Sequence, residues 1–176
     1  MVQSTIGLSW EATRDLLAPL VVDRIIPDVL IDNWTSRFSV LADQRLTMKP
    51  GVVELLVALD ELAIPRAVAT GSYRANALRH LKAHGLDGYF EAVVANEDCI
   101  KGKPAPDPFI TAANRLGISP KDCWALEDSP NGVISAHAAG MTTIMVPDLI
   151  EPGEDIAQRC HLVVRSLLEV RDLLSA

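Results

Sequence analysis

The sequence predicts an α/β protein in which a parallel sheet carries helices on both faces. Three observations carry that reading. From residue 48 onward, short apolar runs alternate with helical patterns of apolar spacing. Most of those helical patterns are opened by proline or closed by glycine. Several runs break off into hydroxyl, glycine or carboxylate residues, and the carboxyl ends of strands are where open parallel sheets bind ligands.

Taken in order, residues 1–47 read as wholly helical. Ser9 is placed to cap a helix from residue 10 to about residue 18, with Pro19 breaking it. Pro27 stands where a second helix should start, and Val29, Leu30, Trp34, Phe38, Leu41 and Leu46 form its apolar stripe. The pattern changes at Met48-Lys49-Pro50-Gly51. Val52, Leu55, Leu56, Leu59 and Leu62 follow at helical spacing, so a helix begins at Pro50 or Gly51. Strands are then expected at 66–69, 92–95, 123–126, 143–146 and 162–164. Helices are expected at 74–83, 108–116, 133–139 and 166–174; Gly85, Gly117 and Gly140 end the first three. Five short strands separated by helices make one parallel sheet covered on both sides.

Bulk properties narrow the function. A length of 176 residues suits one domain, or one domain with a small appendage. The net charge of -7 argues against nucleic acid or an anionic membrane as the main partner. No run reaches the ~18 apolar residues of a membrane span, and the first ten residues carry no basic stretch of the secretory kind. Cys99, Cys123 and Cys160 are odd in number and far apart, which fits reduced thiols and a cytoplasmic protein.

Three stretches carry the chemistry. Trp124-Ala125-Leu126-Glu127-Asp128-Ser129-Pro130-Asn131-Gly132 ends a strand in two adjacent carboxylates. Their repulsion is most easily relieved by a hard cation, and Mg2+ takes a carboxylate pair completed by water and a substrate phosphate. Thr70-Gly71-Ser72 ends another strand with two hydroxyls and open backbone N–H groups, a seat for phosphate oxygens. An ordinary capped turn would use the same residues. Gly102-Lys103-Pro104-Ala105-Pro106-Asp107-Pro108 braces one lysine with three prolines, so it loses little entropy on meeting an anion. Lys101 is its rival in the same loop but lacks the brace. His80 and His84 share a helix face, but Leu81 occupies the place of the Glu that a zinc-protease motif requires.

The joint order Thr, Lys, Glu-Asp, each just after an expected strand, resembles the second to fourth motifs of the haloacid dehalogenase superfamily. The nearest likeness is to its β-phosphoglucomutase-like phosphatases and mutases. Lys49-Pro-Gly-Val, Ala69-Thr-Gly-Ser, Gly85-Leu-Asp-Gly-Tyr-Phe, Gly102-Lys-Pro-Ala-Pro-Asp and Leu126-Glu-Asp-Ser-Pro stand in the family's order. The resemblance implies a Rossmann-like core at 48–176 and a partial helical cap at 1–47. It implies catalytic roles for Lys103 and Thr70, phosphate contacts from Thr70, Gly71, Ser72 and Lys103, and Mg2+ at Glu127 and Asp128.

The family's first motif, Asp-x-Asp-Gly, is absent from these residues, and with it the nucleophilic Asp, the acid/base Asp and the fold's first, central strand. Asp15, Asp23, Asp28, Asp32 and Asp43 all fall in helical or turn contexts and replace neither. Trp10 stands where mutases of this branch carry a phosphate-binding Arg, which favours a phosphatase. The expectation is therefore a Mg2+-dependent phosphohydrolase of small phosphorylated metabolites, N-terminally incomplete and inactive by itself. The alternative is a non-catalytic phosphate-binding descendant of the same fold. No nucleic-acid or membrane partner is expected, and an oligomer is expected only if another chain fills the empty strand slot.

Overall fold

The chain is described by a computed structural model for residues 6–20, 37 and 46–175. The expected second cap helix and its stripe lie outside those residues, apart from Leu46, which is exposed. Helix α1 spans Trp10–Leu17, and Ser9 caps it by accepting from the Ala12 N–H at 3.2 Å. It tightens into a 3-10 turn over Ala18–Leu20, which contains Pro19.

Helix α2 (Val52–Glu61) starts at Gly51, whose φ of +88° lies in the left-handed region. A Cβ there would stand 2.6 Å from the backbone nitrogen of Leu168, so this glycine also lets α2 approach the C-terminal helix. There follow β1 (Ala67–Ala69), α3 (Arg74–Ala83), β2 (Ala92–Val94) and α4 (Asp107–Leu116). The rest is β3 (Trp124–Glu127), α5 (Pro130–Ala138), β4 (Thr142–Met145), α6 (Glu154–Ala157), β5 (Leu162–Val163) and α7 (Leu167–Leu173).

All five expected strands are present and every pairing is parallel, but hydrogen bonding divides them. β1 pairs with β2, and β3, β4 and β5 form a second sheet in that order. The sequence predicts a single sheet. Among the described residues, β1 and β3 each pair along one edge only; the Lys103 ammonium bonds the carboxyl ends of both, and Phe109 packs with Ala69 and Ala125.

Two boundaries shift in a way that matters for function. β3 runs one residue further than expected, so Glu127 ends the strand. α5 begins at Pro130 rather than 133, because Pro suits the first helical position and Ser129 caps it by accepting from the Gly132 N–H at 3.1 Å.

The alternation of β4 sets the layers. Ile144 packs with Leu55, Val146, Val164 and Val170, so α2 and α7 cover one face. Met145 points the other way and packs with Val133 of α5 and Ile156 of α6. Phe109 of α4, Ala125 and Ala136 continue that second layer. Asp98, after β2, bonds Arg74 of α3 and Arg115 of α4. The Arg115 guanidinium foremost holds its carboxyl well below the usual range.

Truncating Leu55 to Ala should cost about 2–5 kcal/mol in urea unfolding, since Leu55 is buried in the first layer. Val53→Ala, on the exposed side of α2, should stay within ~0.5 kcal/mol.

Candidate active site

The site forms where β1, β3 and the loop before α4 end together. Lys103 is buried, and its ammonium donates to the carbonyl of Ala69, the last residue of β1, at 3.0 Å. It also donates to the Glu127 carboxylate at the end of β3 and lies 4.9 Å from the centre of the Phe109 ring. An ammonium has three donors, and these contacts use two. Lys101, the rival in the same loop, is exposed.

Glu127 is held from several sides. Its other carboxylate oxygen accepts from the Ser129 hydroxyl at 3.1 Å, while Ser129 itself accepts from Gly132 at the start of α5. The carboxylate therefore sits at a helix N-terminus, where negative charge is favoured. It fits only because residue 132 has no side chain: a Cβ there would stand 1.8 Å from the carboxylate.

Asp128 is differently placed. The residue is exposed, yet protein crowds one side of its carboxyl. That partial desolvation, then the negative Glu127 beside it, push its pKa above the ordinary value against the pull of Lys49 and Lys103. The sequence treated the two carboxylates as one metal-holding pair; the structure turns Glu127 inward to Lys103 and leaves Asp128 open. Among the described residues no group of three or more His, Cys, Asp or Glu is arranged to hold a metal ion.

Thr70 follows Ala69 directly. Its N–H donates to Val94 at 2.9 Å, and its hydroxyl oxygen accepts from Ser72 N–H at 3.1 Å, forming a tight hydroxyl-backed turn. Thr70 and Lys103 are thus brought together through Ala69, with Gly71 and Ser72 at the same edge.

Several features escaped the sequence reading. Residues 6–9 cross the three motif loops as a strap. Asn131 donates to the Ile6 carbonyl at 2.8 Å, and Gly7 approaches Ser129 where no Cβ would fit. The Leu8 carbonyl lies against Gly71, and Ser9 against Gly102. Gly7 was the available signal, since its φ is +81°. Lys49 is a second. It donates to the carbonyls of Val146 and Pro147 at 3.4 Å and pairs with Asp148, placing a further cation near Asp128. The three cysteines are unpaired, and burial pushes each thiol up. The two ring nitrogens of His84 lie 2.9 Å from the His80 carbonyl and 3.1 Å from the Leu46 carbonyl.

A sequence profile of the haloacid dehalogenase-like hydrolases matches residues 11–140. The chain belongs to that family. It is 34% identical over 145 residues to the bifunctional riboflavin kinase/FMN phosphatase of Arabidopsis thaliana, a match covering 80% of this chain and 38% of that protein. It is 45% identical over 82 residues to the fructose-1-phosphate phosphatase of Escherichia coli, covering 47% of this chain and 44% of the relative. The matched stretches thus cover less than half the length of either relative. In fold it is similar to β-phosphoglucomutase of Clostridium difficile, with a TM-score of 0.79 at 19% identity, over 99% of this chain and 82% of the other. No described helix is long and apolar enough to cross a membrane.

Removing one member of the buried pair should be costly. Lys103→Met leaves Glu127 buried and unpaired, so chemical unfolding should show a loss of about 3–5 kcal/mol, and Lys103→Met/Glu127→Leu should recover much of it. Asp128→Asn should do the opposite. Its raised pKa means the folded state binds that proton more tightly than the unfolded chain. Ionised Asp128 therefore costs stability above its folded pKa, and the cost fades as pH falls through it. The Asn variant should be more stable than the parent at neutral pH, with the advantage gone in acid.

Proposed function

We propose that this chain supplies the phosphate-binding and charge-neutralising half of a Mg2+-dependent phosphohydrolase acting on small phosphorylated metabolites. The carrying observation is Lys103: a buried ammonium pinned between the ends of β1 and β3, with one donor still to offer. A phosphoryl group entering from the strand ends would take that donor and the Thr70 hydroxyl, with Gly71 and Ser72 at its rim. Glu127 fixes Lys103 rather than touching the substrate.

The residues fit a metal in part. Asp128 is an oxygen ligand already short of compensating charge, and Mg2+ commonly takes one or two carboxylates with water and phosphate as the remaining ligands. When bound, Mg2+ would neutralise charge developing on the phosphoryl oxygens. Fixed positioning and electrostatics supply most of phosphoryl transfer, and Lys103 and Thr70 are arranged for both. The Asp-x-Asp-Gly stretch that would supply the phosphoryl-accepting aspartate in an aspartyl-phosphate route does not occur in the sequence. In this reading 1–47 form part of a cap over a core at 48–176, the substrate class is that suggested by the names of the relatives, and the setting is cytoplasmic.

The test joins a strand ending in Asp-x-Asp-Gly ahead of Met1 and measures Mg2+-dependent release of inorganic phosphate from a panel of phosphomonoesters. The fused protein should turn over and the chain alone should not. Lys103→Ala and Asp128→Ala should each slow it at least ~100-fold, with Lys101→Ala nearly neutral. A folded but inactive fusion that still binds phosphate would overturn this reading in favour of a non-catalytic phosphate binder.

A further inference from the structure

The strap of residues 6–9 leads straight into α1, and one side chain of α1 reaches back to the core. Glu11 accepts from the Tyr73 hydroxyl at 2.6 Å and from the Asn96 side-chain amide at 3.0 Å. Tyr73 stands at the end of the Thr70–Ser72 turn, as the residue capping α3. Asn96 opens the short turn after β2, and its N–H donates to the Ser72 carbonyl at 3.0 Å. One carboxylate therefore clamps two loops that are already bonded to each other at Ser72.

We propose that Glu11 is a positioning residue that clasps α1 to the Tyr73 and Asn96 loops, and so fixes the strap over Thr70, Gly71 and Gly102. The proposal rests on the reading of that crevice as a phosphate site. Residues 6–9 lie against Gly71, Gly102, Ser129 and Asn131, and Ser9 caps α1; Glu11 adds the contacts that tie the helix to the Tyr73 and Asn96 loops. Both bonds to Glu11 run to an ionised acceptor, which makes them stronger than neutral ones. The charge state agrees. Burial raises the Glu11 carboxyl, but bonds from Tyr73, its own backbone, Ser9 and Asn96 outweigh that and hold it below the ordinary value. The same bond, foremost, pushes the Tyr73 hydroxyl up. A cap element clasped to the phosphate turn places that turn and the crevice mouth under one control: with the clasp closed the Thr70 turn is ordered, and with it open both are released together.

Hydrogen exchange of the full chain tests this without any need for catalysis. Tyr73→Phe removes one hydroxyl, and Glu11→Ala removes the whole clasp. Each should speed exchange of the amides at 13–17 and 71–73 about tenfold or more, with α5 amides unchanged. Glu11→Gln should restore much of the protection, because its amide can bond both partners once the Asn96 side chain turns over. Calorimetric binding of inorganic phosphate with Mg2+ should weaken about tenfold in Glu11→Ala and recover in Glu11→Gln. Unchanged exchange at 13–17, or acceleration in α5 to the same degree, would overturn the clasp. Absence of phosphate binding in the parent chain, with exchange behaving as stated, would leave the clasp standing and defeat the phosphate reading instead.

Discussion

The contact on which the rest depends is the buried pair of Lys103 and Glu127. A parallel sheet normally holds its strands through backbone ladders. Here β1 and β3 have no ladder between them, and one ammonium joins the Ala69 carbonyl to the Glu127 carboxylate. Buried ion pairs gain little net stability, because desolvation offsets the attraction. What this pair fixes is position. It holds a cation beside the Thr70 turn and sets the separation of two strand ends that no ladder sets.

The division of labour between neighbouring carboxylates follows from the same contact. In β3 successive side chains point to opposite faces. Glu127 therefore shares a face with Ala125 and is packed between Lys103, Ser129 and the start of α5, whereas Asp128 turns out. Gly132 makes this possible, since any side chain there would occupy the carboxylate's place. The sequence Glu-Asp-Ser-Pro-Asn-Gly thus encodes three things at once: an anion to orient the lysine, a second anion at the surface, and a helix start that stabilises the first.

Much of this was legible from residue types and spacing. Gly51, Gly117 and Gly140 marked helix ends, and the strand runs were short, apolar and bounded by turn residues. Lys103 was separable from Lys101 in the sequence because only one carries the proline brace, and in the structure Lys103 is the buried one. The break in the sheet was less visible. Strand periodicity predicts elements, and it does not say which edges meet. The opposite fates of Glu127 and Asp128 depended on one residue's shift in where β3 ends. The strap over Gly71 and the reach of Glu11 to Tyr73 and Asn96 span 62 and 85 residues of sequence, and no local pattern carries such pairings.

Lys103 is buried and already bonded to Ala69 and Glu127, and its proposed role is to offer a remaining donor to phosphate. A 1H–15N spectrum of the lysine ammonium groups tests it most directly. The expected result is a slowly exchanging Lys103 signal, absent in Lys103→Met, that shifts on adding inorganic phosphate while other lysines stay still. A Lys103 ammonium that exchanges as fast as Lys101 and ignores phosphate would contradict it.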